Sequence, residues 1–363
     1  QTTGDVRIEF YAAIKTAEPF LPAGTVIARE QTYVHTFYKK EATAQQPATS
    51  KEEGNLVAFS GPDFKATFDK QSGLLTSYLY KKHEYILNGQ GPRPFFWRAP
   101  TDNDYGANLP VRLKAWKEAS YQEPKAESFQ VTPGSNATTV KVTYRFPQTE
   151  ARWNITYKIY ASGVIKVDNR FMAEGDQAPM IPRVGLRMQL PESFTDLTYY
   201  GRGPKENYRD RRTSQFIGEY AIPVKDMYEP YVRPQENNHR TDIYWCALTD
   251  KTQRGLLLIA DRTFELNASN YPLESMDSGD TIDNGAPRTE KTHHRHLTDP
   301  LPEKMVDLFI DYRMMGVGGD DSWGATAHEP YLIRPGKENA IEYGFSLVPF
   351  DKKEDYKYLI QQY

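Results

Sequence analysis

Acids, amides and guanidinia gather in three short stretches: Phe96-Trp97-Arg98-Ala99-Pro100-Thr101-Asp102-Asn103-Asp104, Gly201-Arg202-Gly203-Pro204-Lys205-Glu206-Asn207-Tyr208-Arg209-Asp210-Arg211, and Gly318-Gly319-Asp320-Asp321-Ser322-Trp323. Each mixes turn formers, carboxylates and an aromatic ring. Asp102, Asp104, Glu206, Asp210, Asp320 and Asp321 are the obvious acids for proton transfer or hydroxyl binding. Arg98, Asn103, Asn207 and Arg211 sit beside them, and Glu236, Asn237 and Arg240 form a related cluster in Pro234–Arg240. Such side chains, facing one another, could line a polar groove. They could equally cap turns, pair with Arg98, Arg202 and Arg211, and close a network that holds loops together. The chain has 48 Asp and Glu, so composition singles out no catalytic pair.

Trp323 is the sharpest single candidate. Gly318 and Gly319 allow a tight turn. Asp320 and Asp321 can accept backbone N–H groups and shape it. A loop so built could hold the following indole away from the sheet. An indole face suits the apolar C–H face of a pyranose, and its N–H can bond a hydroxyl. A core tryptophan remains the competing reading on these residues alone.

Other signals fail. Asp102-x-Asp104 begins like a calcium loop, but Ala107 stands where glycine is needed and Leu113 where glutamate is needed. Gly201-x-Gly203 lacks the third glycine of a dinucleotide fingerprint. In His293-His294-Arg295-His296, His294 and His296 would share one face if extended, which reads as a solvated face rather than a metal pair. No metal site is expected. The single cysteine, Cys246, lies in Tyr244-Trp245-Cys246-Ala247-Leu248 and reads as a buried small apolar residue. The net charge is −3 with no basic run, which argues against nucleic acid as a partner. No apolar stretch approaches ~18 residues, so no membrane-spanning helix is expected.

The elements that must position these stretches read as strands. Twenty-five prolines and 24 glycines separate short runs rich in Val, Ile, Tyr, Phe and Thr. Val140–Phe146, Trp153–Tyr160 and Val164–Phe171 alternate with period two. Ser162-Gly163 between the last two predicts a hairpin. Val6–Ile14 and Val26–Phe37 alternate likewise, and Asn55–Phe59 and Phe64–Phe68 are two further runs that lead into the turn at Asp69–Leu75. Only Pro110–Ala119 predicts a helix, with Val111, Leu113 and Trp116 on one face. Residues 41–54 are polar and aperiodic and read as a linker.

Together, in this order and spacing, the three stretches resemble the C-terminal part of the large bacterial β-galactosidases of glycoside hydrolase family 2. The resemblance implies an all-β chain. Residues 55–363 would form a supersandwich, the large two-sheet fold shared with the galactose mutarotases. Residues 1–40 would be the last strands of an immunoglobulin-like β-sandwich. It also implies that the full enzyme hydrolyses terminal β-D-galactosides with retention. That chemistry needs two carboxyl groups about 5–5.5 Å apart, and in the family both are glutamates of an upstream barrel. No catalytic residue is therefore expected here, and the isolated chain should be inactive. In the family the tryptophan matching Trp323 reaches into the barrel's active site. The full family enzyme uses Mg and Na held mainly in other domains, so no cofactor is expected in this region. The implied partners are a galactoside or other carbohydrate and the barrel of the same polypeptide, and a homo-oligomer is compatible with this. Two further classes stay open: a free-standing carbohydrate-binding module, and a mutarotase-like isomerase with His239 facing Glu206 or Glu236.

Overall fold

A computed structural model describes residues 4–37, 45–173, 180–279, 296–321, 324–334, 336, 339–352 and 354–362. The chain forms two compact units, divided at Thr43/Ala44 and again at Tyr356/Lys357.

In the first unit, β1 (Gly4–Ala13) and β2 (Val26–Phe37) pair antiparallel. Thr25 donates to the Pro22 carbonyl at the turn. Apolar side chains of both strands, Ile8, Phe10, Val26, Ile27 and Val34 among them, are exposed.

The second unit begins with a meander of five short strands: β3 (Thr49–Glu53), β4 (Leu56–Ser60), β5 (Phe64–Asp69), β6 (Leu75–Tyr80) and β7 (His83–Glu84). Thr49–Glu53 lies in the stretch read as linker. It is nevertheless a strand, because β4 offers it a paired edge, although all its side chains are exposed.

Next come β8 (Arg93–Phe95), β9 (Ala126–Thr132), β10 (Thr138–Phe146), β11 (Ala151–Ile159), β12 (Ile165–Ala173), β13 (Arg183–Pro191), β14 (Asp196–Gly203), β15 (Phe216–Pro223), β16 (Arg240–Thr249), β17 (Gly255–Ser269), β18 (Met305–Met314) and β19 (Ile341–Phe350). These twelve form one branched sheet. The branch point is β17, which is 15 residues long. Its first half pairs with β19 and leads to β12, β11, β10 and β9; its second half pairs with β18 and leads to β13 and β8.

The two arms face each other across the core. Phe96, just after β8, meets Trp153 of β11 at 5.4 Å and Phe171 of β12 at 5.6 Å between ring centroids. The meander covers the same face of β11, where Phe68 meets Tyr157 at 5.0 Å. Alternation explains the burial: Val140, Val142, Tyr144 and Phe146 point inward from β10, while Lys141 and Arg145 point out. Truncating a ring such as Phe96 to alanine should cost about 3–5 kcal/mol.

The expected hairpin forms between β11 and β12, with Gly163 at φ +94°, a left-handed conformation open to glycine at little cost. Cys246 is fully buried, as expected.

The expected single helix is instead two, α2 (Leu109–Arg112) and α3 (Lys114–Tyr121), preceded by α1 (Asp102–Gly106). Leu113, at φ −110°, breaks the helix. Leu113 and Trp116 are buried, but Val111 is 47% exposed; the shared face expected for the three does not exist, because residues two apart lie about 200° around a helix from each other.

Candidate functional site

Residues from all three motif stretches meet around the backbone of 315–318, the segment that leaves β18. Arg98 is buried and grips Asp104 with two bonds, Nε to Oδ2 at 2.9 Å and Nη2 to Oδ1 at 2.7 Å. The same guanidinium donates to the carbonyls of Met315 at 2.7 Å and Gly316 at 3.1 Å. Burial works against its charge, but Asp104 more than compensates and raises its pKa. Asp104 is also the third residue of α1. Its backbone N–H donates to the Thr101 hydroxyl, and its carboxylate accepts from the Thr101 N–H, closing a capping box. Asn103 donates to the Val317 carbonyl at 3.0 Å. From the second stretch, Asp210 accepts the N–H groups of Val317 at 3.2 Å and Gly318 at 2.7 Å.

Beyond this root, Asp321 accepts the N–H groups of Gly324 and Ala325, both at 3.2 Å. Asp320 is exposed and pairs with His328. A Cβ on Gly319 would lie 2.7 Å from the Ala325 carbonyl oxygen. Gly319 and the Ala325 carbonyl are thus close neighbours. Trp323 lies outside the described residues, as do His293 and His294.

The remaining candidates separate into two kinds. Asn207, Asn237 and Arg240 are buried and bond mainly to backbone. Asn207 donates to the Arg202 and Lys205 carbonyls and accepts from Thr241. Asn237 accepts from the Glu229 N–H, and Arg240 donates to the Asn238 carbonyl. Glu206 pairs with Arg211 at 2.6 Å and also takes the Tyr231 hydroxyl and the Asn238 N–H. Asp102 is exposed and pairs with Arg233 at 2.9 Å. Arg202 pairs with Asp242, outside the motif acids it was expected to meet.

His239 does not face Glu206 or Glu236. Its Nε2 lies 2.9 Å from Glu265 Oε2, its ring stacks on Tyr208, and both His239 and Glu265 are buried. The loop conformation turns the imidazole onto β17, which corrects the pairing expected for an isomerase.

One feature escaped sequence reading. On one face of β13 and β18 lie two buried arginines, each held between two carboxylates. Arg187 grips Asp307 at 2.7 and 2.8 Å, and Glu274 at 2.5 and 2.8 Å. Arg183 lies 3.3 Å from Asp311 and 3.2 Å from Glu236. Both guanidinia lie over the Phe309 ring, at 4.2 and 5.4 Å. Burial pushes the Asp311 carboxyl up to about 7; Arg183 and His239 oppose this, while Glu265 and Glu236 add to it. The alternation Asp307-Leu308-Phe309-Ile310-Asp311 was a visible signal, since carboxylates inside an apolar strand must find partners.

Residues 60–347 match the family described as Beta galactosidase small chain. The chain is 33% identical over 291 residues to a β-galactosidase of Priestia megaterium, covering 80% of this chain and 26% of that protein. It is 30% identical over 294 residues to a β-galactosidase of Halalkalibacterium halodurans, covering 80% and 27%. It is also 30% identical over 334 residues to one of Lactobacillus delbrueckii subsp. bulgaricus, covering 91% and 31%. The chain thus spans between a quarter and a third of the length of these relatives.

Proposed function

Since this chain belongs to the β-galactosidase small-chain family, we propose that it is the non-catalytic C-terminal region of an enzyme that hydrolyses terminal β-D-galactosides. In this reading the catalytic glutamates come from a barrel in the same polypeptide, and this region supplies Trp323 to the galactoside pocket. The hairpin of β1 and β2 contributes the last strands of a preceding sandwich, which would cover its exposed apolar side chains.

The observation that carries the reading is the convergence on residues 315–318. A loop that only had to connect β18 to β19 would not need a buried Arg98–Asp104 pair and the Asp210 carboxylate at its root. Fixing a loop before the ligand arrives removes an ordering cost from binding. Preorganisation of this kind suits a loop that presents a side chain to a substrate. The buried side chains of Asn207, Asn237 and Arg240 act as braces for the loops around it, and Gly318, Gly319, Asp320 and Asp321 shape the loop itself.

The test is Trp323→Ala in the full-length enzyme. Stacking of an aromatic on a ring is worth about 1–3 kcal/mol, a scale taken from bases. Galactoside KM and inhibitor constants should rise accordingly, with the melting temperature little changed. Unchanged constants would overturn the substrate role. The 363-residue chain alone should not turn over a chromogenic galactoside, and turnover that survives purification would overturn the non-catalytic assignment.

A further inference from the structure

At the end of β18 opposite the 315–318 segment, a cavity of about 460 Å³ opens between β13, β18 and the segment around Glu274. We propose that it is a binding site for a neutral saccharide unit, independent of the role given to Trp323.

Its volume falls in the range of small-molecule sites, roughly 300–1,000 Å³. Its walls are rigid. Gln189 and Gln90, which both line the cavity, are tied by a backbone bond of 2.8 Å. Arg187 is locked by Asp307 and Glu274. The Glu303 N–H is held by the Asn270 carbonyl at 2.7 Å.

Its polar groups are left over from folding. Among the described residues, the side-chain amides of Gln90 and Gln189 and the carboxylate of Glu303 make no hydrogen bond. Arg93 makes one, from Nη2 to the Ser120 carbonyl, and has no carboxylate within ion-pair distance. Met188, Met305 and Pro272 form its floor and are almost wholly buried.

That composition selects the ligand class. An anion would meet Arg93 but also Glu274 and Glu303, and a cation would meet the reverse. A neutral polyol uses both kinds, because each hydroxyl donates and accepts. Amide and guanidinium groups can take adjacent hydroxyls in pairs. No aromatic side chain lines the cavity among the described residues, so affinity should be millimolar rather than micromolar.

The experiment titrates the 363-residue chain, labelled at its methionine methyl groups, with D-galactose and D-glucose, and separately with D-galacturonate and inorganic phosphate. The Met188 and Met305 signals should shift and saturate with a neutral sugar. Gln189→Ala and Arg93→Met should each weaken that binding at least tenfold. Glu303→Gln is at the exposed rim, spares folding, and should weaken it severalfold. Three outcomes would overturn the site: no saturable shift with either neutral sugar, saturation by galacturonate or phosphate alone, or unchanged binding in both Gln189→Ala and Glu303→Gln.

Discussion

The carboxylate of Asp210 and the backbone N–H of Gly318, 108 positions apart in sequence, lie 2.7 Å from each other. The approach depends on missing side chains. A Cβ on Gly316 would sit 2.6 Å from the same carboxylate oxygen, and one on Gly318 3.0 Å from it. The second and third motif stretches are thus two halves of one clamp.

Removing that clamp should loosen the loop root. Asp210→Ala deletes two charge-assisted bonds, worth about 1.5–3 kcal/mol each at most. In the full-length enzyme proposed above, galactoside affinity should fall, and in this chain hydrogen exchange at Val317 and Gly318 should speed up. Unaltered exchange at both positions would refute the clamp.

Gly316→Ala should destabilise the chain by about 1–3 kcal/mol through overpacking. The added methyl meets Asp210 and also the Ala327 Cβ at 2.8 Å. Combined with Asp210→Ala, part of the cost should vanish, since one clashing partner is gone. A double-mutant cycle by urea denaturation reads that coupling, and strict additivity would argue against the contact.

Arg98→Met should be among the most damaging changes in the second unit. It leaves the Asp104 carboxylate buried without its cation, a loss of about 3–5 kcal/mol. It also strands the Met315 and Gly316 carbonyls. Arg98→Lys should recover only part of this, because an ammonium cannot make the paired contact. Equal stability of the lysine variant and wild type would contradict the bidentate geometry.

Asp311 predicts a pH dependence of stability. Its folded pKa, about 7, lies above the usual carboxylate value of 3.8. Between those values the folded chain holds a proton that the unfolded chain has lost. Its contribution to stability is therefore full below about pH 4, declines as pH rises, and is gone above about 7. The slope can approach ~1.4 kcal/mol per pH unit. Asp311→Asn should flatten this part of the urea-denaturation profile, between about pH 4 and 7. A parallel profile for the variant would rule Asp311 out as the source.

What the sequence determined by itself is mostly local. Period-two alternation placed β10, β11 and β12 and the turn at Gly163, because a strand's inward face is written in every second residue. The motif stretches also marked the polar side chains of the loop root, including Arg98, Asp104 and Asp210. It missed the break at Leu113, since apolar residues do not reveal a non-helical backbone angle between them, and it misplaced Val111, which at two residues from Leu113 lies across a helix from it. It missed Thr49–Glu53 as well, since that strand is polar throughout and exists because β4 offers an edge. Only the tertiary structure decided which strand lies beside which. The fork of β17 toward both β18 and β19 is a long-range pairing with no local signature. From that fork follow the Arg187–Asp307 and Arg183–Asp311 pairs, the turning of His239 onto Glu265, and the meeting of three distant motifs at residues 315–318. Each joins side chains far apart in the chain, and their partners are set by strand order rather than by spacing.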